Sequence, residues 1–139
     1  MTDAASTLLA FDYGLKRIGV AVGQTLTGTA RPLQTVAVKN HRPDWPEIEQ
    51  LIETWLPDAL VVGLPLNMDG TEQEMTDHAR QFSHRLHGRF RLPVHLADER
   101  LTTREANWRL VEDGGGRNPD AVAAQVILEG WLSHTARSG

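Results

Sequence analysis

The stretch Leu8–Gly23, LLAFDYGLKRIGVAVG, constrains this chain more than any other. Leu8–Phe11 is one apolar run and Ile18–Val22 a second, rich in β-branched residues. Gly14 between them supplies the freedom of a tight turn. The pattern predicts two neighbouring strands joined by a hairpin, with a carboxylate, Asp12, at the end of the first. A charge in such a place is costly to bury unless something pairs with it. Two readings follow: a turn-capping Asp ahead of Gly14, or a metal-binding or catalytic acid at the heart of a sheet.

The remaining 116 residues after Gly23, of 139 in all, are ordered as strands and helices with no linker long enough to divide domains, so a single domain over residues 1–139 is expected. The absence of cysteine excludes disulfides, thiolate zinc sites and thiol nucleophiles, and suits a reducing cytoplasm. The start MTDAASTLLAF lacks a basic segment and its apolar run stops at Asp12, so neither a signal peptide nor a membrane span is expected. A net charge of −4 argues on its face against a nucleic-acid partner. Among the 14 basic residues, however, only Lys16 and Lys39 are lysines, and the arginines suit bidentate phosphate contacts. Bound metal would also neutralise clustered acids, so the charge balance leaves the question open.

Ala30–Val38 reads as a third strand, entered through Gly28 and bent at Pro32. Ile48, Leu51, Ile52, Trp55 and Leu56 form one apolar helical face, capped by Asp44 and ended by Pro57. Ala59–Gly63 is a short apolar run, read as a buried parallel strand, opening into the Leu64–Gly70 loop. Thr71 and Glu74 fit a capping box for a helix with Met75, Ala79, Phe82 and Leu86 inward. His84 and His87 on its other face lack a third ligand and read as solvated. Leu92–Ala97 is the fifth strand. A second capping box, Thr102 to Glu105, opens a helix running towards Asp113, followed by the break Gly114–Gly116. Asn118 and Pro119 cap and start the last helix, with Ala123, Ala124, Ile127 and Trp131 inward and Asp120 on the same side.

Three acids share a logic. Asp12 follows the first strand, Glu99 the fifth, and Asp120 opens the last helix facing the core. In α/β sheets ligands gather at the carboxyl ends of strands. Carboxylates gathered there repel one another unless cations intervene, and Mg²⁺ or Mn²⁺ suits an all-oxygen site. Two such ions activate a water and stabilise the leaving oxygen in phosphodiester hydrolysis. Simpler roles stand beside this one: Glu99 pairing with Arg100 or Arg104, and Asp120 favoured by the helix dipole.

FDYGLKRIGVAVG (11–23), TGTARPL (27–33), VVGLPLNMDGTE (61–72), DERLTT (98–103) and DAVAAQVILEGWL (120–132) occur in that order over nearly the whole chain. On these segments the sequence resembles the YqgF family of Holliday-junction-resolvase-like nucleases. The resemblance implies a ribonuclease H-like α/β fold: a five-stranded mixed sheet, its first three strands antiparallel, flanked by helices. It implies that Asp12, Glu99 and Asp120 are the catalytic, metal-binding acids; Asp98, which abuts Glu99, is kept as a substitute for that role. It also implies a role in maturing the 5′ end of pre-16S rRNA, on ribosomal assembly intermediates, in the cytoplasm. The family usually carries a longer, lysine-rich segment before the last Asp. Here it is GGGRNP with Arg117 as the lone base, which weakens the expected phosphate contact.

Asp12 is expected to bridge two metals, with Glu99 and Asp120 each holding one. Lys16, Arg17, Arg100, Arg104 and Arg117 are candidates to hold substrate phosphates, and Asn67 to line the cleft. Surface ion pairs account equally well for the arginines, and a tight turn for Asn67. Three other functions are weighed: a junction resolvase on branched DNA, a non-catalytic RNA-binding assembly factor, and an actin-like or sugar-kinase ATPase. The last needs two related domains. A resolvase works as a symmetric dimer; no feature marks a dimer surface, the aromatics Trp45 and Trp108 reading as partly buried, so a monomer or weak dimer is expected.

Overall fold

The computed structural model describes residues 6–101 and 118–138. Strands β1 (Thr7–Tyr13), β2 (Arg17–Gln24), β3 (Thr29–Lys39) and β4 (Arg42–Pro43) come first. Helix α1 (Trp45–Trp55), β5 (Ala59–Leu64), α2 (Glu74–Phe90), β6 (Val94–Asp98), a 3-10 turn (Glu99–Leu101) and α3 (Pro119–Ser138) follow. One six-stranded sheet results, in the order β4-β3-β2-β1-β5-β6. β1, β2 and β3 are antiparallel neighbours, while β5 runs parallel to β1 and to β6.

The five expected strands are therefore joined by a sixth, two-residue strand at the outer edge. It exists because Asn40 and His41, at φ 53° and 63°, make a two-residue left-handed turn that folds the chain back on β3. Neither residue is glycine, so no turn signal precedes it. Gly14 also works differently from expectation. Its φ is not positive; a Cβ there would lie 2.6 Å from the Arg17 carbonyl oxygen. At Pro32 the expected bend is a bulge: Val20 pairs with Gln34 and Ala21 with Pro32, leaving Leu33 unpaired in the register.

Asp44 caps α1 through the Glu47 amide, and Leu56 closes the helix in the left-handed conformation. The cap of α2 is not the Thr71–Glu74 pair. Gln73 and Thr76 form the box, because the Thr71 amide and hydroxyl are both held by Asp69, at 2.9 and 2.6 Å. Asn118 caps α3 on the Ala121 amide. The Thr102–Glu105 box, the helix towards Asp113, Gly114–Gly116, Arg104, Trp108 and Arg117 lie outside the described residues.

Strand alternation divides the core in two. Leu9, Phe11, Ile18, Val20, Leu60 and Val62 face α1 and α2, meeting Ile48, Phe82 and Leu86. Leu8, Ala10 and Val61 face α3, meeting Ile127, Leu128 and Leu132. The inward face of α3 is wider than expected: Ala121, Val126, Leu128 and Leu132 are buried too, whereas Ala123 and Trp131 are only partly so. Trp45 is half-buried against Phe82, with Arg89 over its ring at 4.2 Å. No helix among the described residues is long and apolar enough to cross a membrane.

Phe82 joins the layers, meeting Phe11 edge-on at 5.7 Å and Tyr13 at 5.1 Å. Phe82→Ala is expected to cost about 4 kcal/mol, lowering the melting temperature by roughly 12 °C in calorimetry. A shift of only a degree or two would show that this layer does not hold the sheet to α2.

Candidate functional site

Two missing side chains make the site. Asp12 lies on the α3 face of β1, the same face as Ala10. Its partner on β2 is Gly19. On β5, one step beyond the Phe11–Val62 pair, stands Gly63. The central acid is thus flanked on both neighbouring strands by glycine. The gap at Gly19 admits the first turn of α3: a Cβ there would lie 1.8 Å from the Asp120 carbonyl oxygen. The gap at Gly63 admits the Ile127 side chain of α3, whose Cδ1 would lie 2.6 Å from a Cβ there, and beside it Glu99, whose Oε2 would lie at 2.9 Å. Asp120 and Glu99 thereby approach Asp12 from opposite sides.

The electrostatics record the same meeting. Burial and then the Asp120 charge push Asp12 up to about 6. Burial, then the charges of Asp12 and Asp98, push Glu99 up to about 7. Asp120 is held by Arg17, Nε to Oδ2 at 2.8 Å. Asp98 goes the other way: hydrogen bonds from Arg100 hold it below the usual carboxylate range. The adjacent pair Asp98 and Glu99 therefore splits, one fixed as an anion by arginine, the other directed over Gly63.

Of the candidate phosphate ligands, Lys16 is exposed in the β1–β2 turn. Arg17 stands at the acids themselves and is largely exposed, at 60 %. Arg100 binds both oxygens of Asp98 and reaches the Met68 carbonyl at 3.4 Å, pinning the β5–α2 loop. Asn67 is held within that loop, its amide donating to the Thr71 hydroxyl at 3.0 Å. The glycines are what sequence reasoning missed as parts of the site, although both lie in segments that carry the family resemblance. Their signal is a glycine interrupting a strand, which marks a close backbone approach.

Among the described residues no three His, Asp or Glu side chains form a ready-made metal cage. The donor set nonetheless fits a hard divalent cation. It consists of oxygen ligands that resist ionising together and that a cation between them would relieve.

Comparison with solved structures places the fold. Thermus thermophilus RuvC in complex with a Holliday junction substrate superposes with a TM-score of 0.61 at 16 % identity, covering 96 % of each chain. The yeast mitochondrial Holliday junction resolvase superposes with a TM-score of 0.56 at 11 % identity, over 94 % of this chain and 79 % of the other. The fold is that of the RuvC-like α/β class. Residues 6–134 match the family model described as "RuvX: Holliday junction resolvase", and the chain belongs to that family. Its relatives include proteins named "Putative pre-16S rRNA nuclease". That of Azotobacter vinelandii is 59 % identical, over 91 % of this chain and 92 % of its own. That of Escherichia coli is 54 % identical, over 92 % and 96 %.

Two outcomes are expected. Gly19→Ala drives a Cβ into backbone, which cannot yield as a flexible side chain would. It should cost about 3 kcal/mol and displace Asp120, whereas Gly88→Ala, on an open helix face, should gain about 1 kcal/mol. Equal melting temperatures for the two would refute the close approach. Asp12 and Glu99 bind protons more tightly folded than unfolded, their folded values of about 6 and 7 lying above the ordinary 3.8 and 4.5. In EDTA, folding stability should therefore fall as pH rises from about 4 to about 7 and then level off. Asp12→Asn should be more stable than wild type by about 2 kcal/mol at pH 8 and by little at pH 4. A constant difference between the two across that range, in thermal melts, would refute the crowding of the acids.

Proposed function

We propose that this chain is a metal-dependent nuclease that hydrolyses phosphodiester bonds, with the 5′ region of pre-16S rRNA as its substrate. The observation that carries the reading is Asp12 set between two glycine gaps, within electrostatic reach of both Asp120 and Glu99. The names of relatives at 54–59 % identity supply the substrate. Asp12, Glu99 and Asp120 would hold Mg²⁺ or Mn²⁺. When bound, such an ion supplies Lewis acidity and the positive charge that lets the carboxylates ionise together. Asp12, fixed on the central strand, sets the position of the site. Asp120 arrives oriented by Arg17, which also presents a largely exposed guanidinium beside the acids to steer a phosphate inward. Arg100 ties the β5–α2 loop to Asp98 through the Met68 carbonyl, next to Glu99. Lys16, Arg104 and Arg117 would supply further phosphate contacts, and Asn67 fixes the shape of the loop. The activity belongs to the cytoplasm and to a monomer or weak dimer working on ribosomal assembly intermediates.

A second reading, cleavage of branched DNA, is favoured by the description of the matching family. Wild type and Asp12→Asn, matched for folding by circular dichroism, are to be assayed with Mn²⁺ on three substrates. These are single-stranded RNA carrying the precursor 5′ extension, single-stranded DNA and a four-way junction. The expected result is RNA cleavage by wild type that falls at least about 100-fold in the variant. Cleavage of the junction alone moves the assignment to a resolvase. Cleavage that survives Asp12→Asn, or none by folded wild type, removes the nuclease reading.

A further inference from the structure

Tyr13 follows Asp12 directly and therefore points to the opposite face of the sheet, still at the carboxyl end of β1. There it borders a pocket of about 230 Å³ lined by Tyr13, His41, His78, Gln81, Phe82 and Arg85. Three of these rings form a ladder. Tyr13 and His78 are stacked at 6.4 Å with planes 20° apart, and His78 and His41 at 5.7 Å with planes 15° apart. The three come from different elements: β1, the β3–β4 turn and α2. His41 is presented from the two-residue β3–β4 turn, in the left-handed backbone that this turn requires, φ 63°. Asp12, Glu99 and Asp120 do not line this pocket. Tyr13 rests on Phe82 at the edge of the core, while the proposed hydrolysis makes no use of the ladder.

The lining has a definite chemistry. Near-parallel rings with a pocket beside them suit a planar heterocycle, and the volume suits one ring system rather than a larger ligand. Gln81 offers an amide with both donor and acceptor for the edge of such a ring. Arg85 makes no ion pair among the described residues, and its charge acts on the Tyr13 hydroxyl at the pocket. A free guanidinium beside a stacking surface matches a base with its phosphate. A duplex keeps its bases stacked on one another, so the occupant is an unpaired base.

We propose that this pocket receives one unpaired nucleobase of the nucleic-acid strand, stacked on the Tyr13–His78–His41 ladder, with Arg85 on the adjoining phosphate. It rests on the nuclease reading and adds to it a strand-positioning subsite. The subsite lies at the same end of the sheet as the acids and on the other face, so the strand crosses the end of β1 between them. Tyr13 and His78 are positioning residues here, since they touch the strand away from the reacting atoms.

The test separates binding from cleavage. Fluorescence anisotropy in EDTA, where no strand is cut, compares wild type with the His41→Ala/His78→Ala variant. The probes are a labelled 12-nucleotide single-stranded RNA and a labelled abasic strand of the same length. The variant is expected to lose about 5- to 100-fold in affinity for the RNA and to match wild type on the abasic strand. Tyr13→Phe, which keeps the ring, should bind the RNA like wild type. Equal loss on both strands would show phosphate contact alone and overturn the proposal, as would no loss or no binding by wild type. Cleavage with Mn²⁺ is scored separately. Cleavage by wild type with unaltered binding in the variant removes the pocket and leaves the nuclease. Pocket-dependent binding without cleavage does the reverse.

Discussion

The constraint on which the structure depends is the gathering of negative charge around Asp12. Carboxylates brought near one another in a partly buried place repel, and each is deprived of water that would stabilise its charge. Asp12 and Glu99 are accordingly held above the ordinary carboxylate range, by burial first and then by neighbouring charge. The protein offsets that charge in two ways. Arg17 pairs with Asp120 directly, and Arg100 pairs with Asp98, whose charge still bears on Glu99. What remains is a crowded carboxylate centre that costs stability, and the proposed nuclease reading gives it a use.

The fold accommodates that centre through absence as much as through contact. The α3 face of the sheet carries Gly19 and Gly63 beside Asp12, with Ile127 seated over Gly63, and larger residues further along, where Leu8 and Val61 meet Leu128 and Leu132. α3 is thus seated by its apolar half and brought close by its first turn. The opposite face carries the bulk of the core, with Phe11, Ile18 and Phe82 supporting the central strand from beneath. The divided labour explains why one sheet is both a rigid support and an open site.

Much of this was legible because its signals are local. The hairpin around Gly14, the Asp44 and Asn118 caps and the apolar face of α2 are each written within a few residues of one another. The three acids could be singled out because strand ends and helix starts can be placed without knowing how distant elements meet. Other features needed the third dimension. Thr71 and Glu74 carry the capping pattern, but Asp69 engages Thr71, and the box forms instead between Gln73 and Thr76, which the pattern does not announce. The β3–β4 turn uses Asn40 and His41 where glycine would have announced it. The ring ladder unites residues 13, 41 and 78, which no spacing rule connects.

The Arg17–Asp120 pair joins positions 103 residues apart. A chain emerging vectorially from its synthesis has β1 and Asp12 long before it has α3. Until that helix docks over Gly19, the half-made protein carries an incomplete set of acids and an uncovered apolar sheet face. On the proposed reading, competence arrives as a single late event, coupled to docking of α3. If the three acids are the catalytic set proposed, a truncated product would be inert rather than indiscriminately destructive, a useful safeguard for a chain whose proposed substrate surrounds it as it is made.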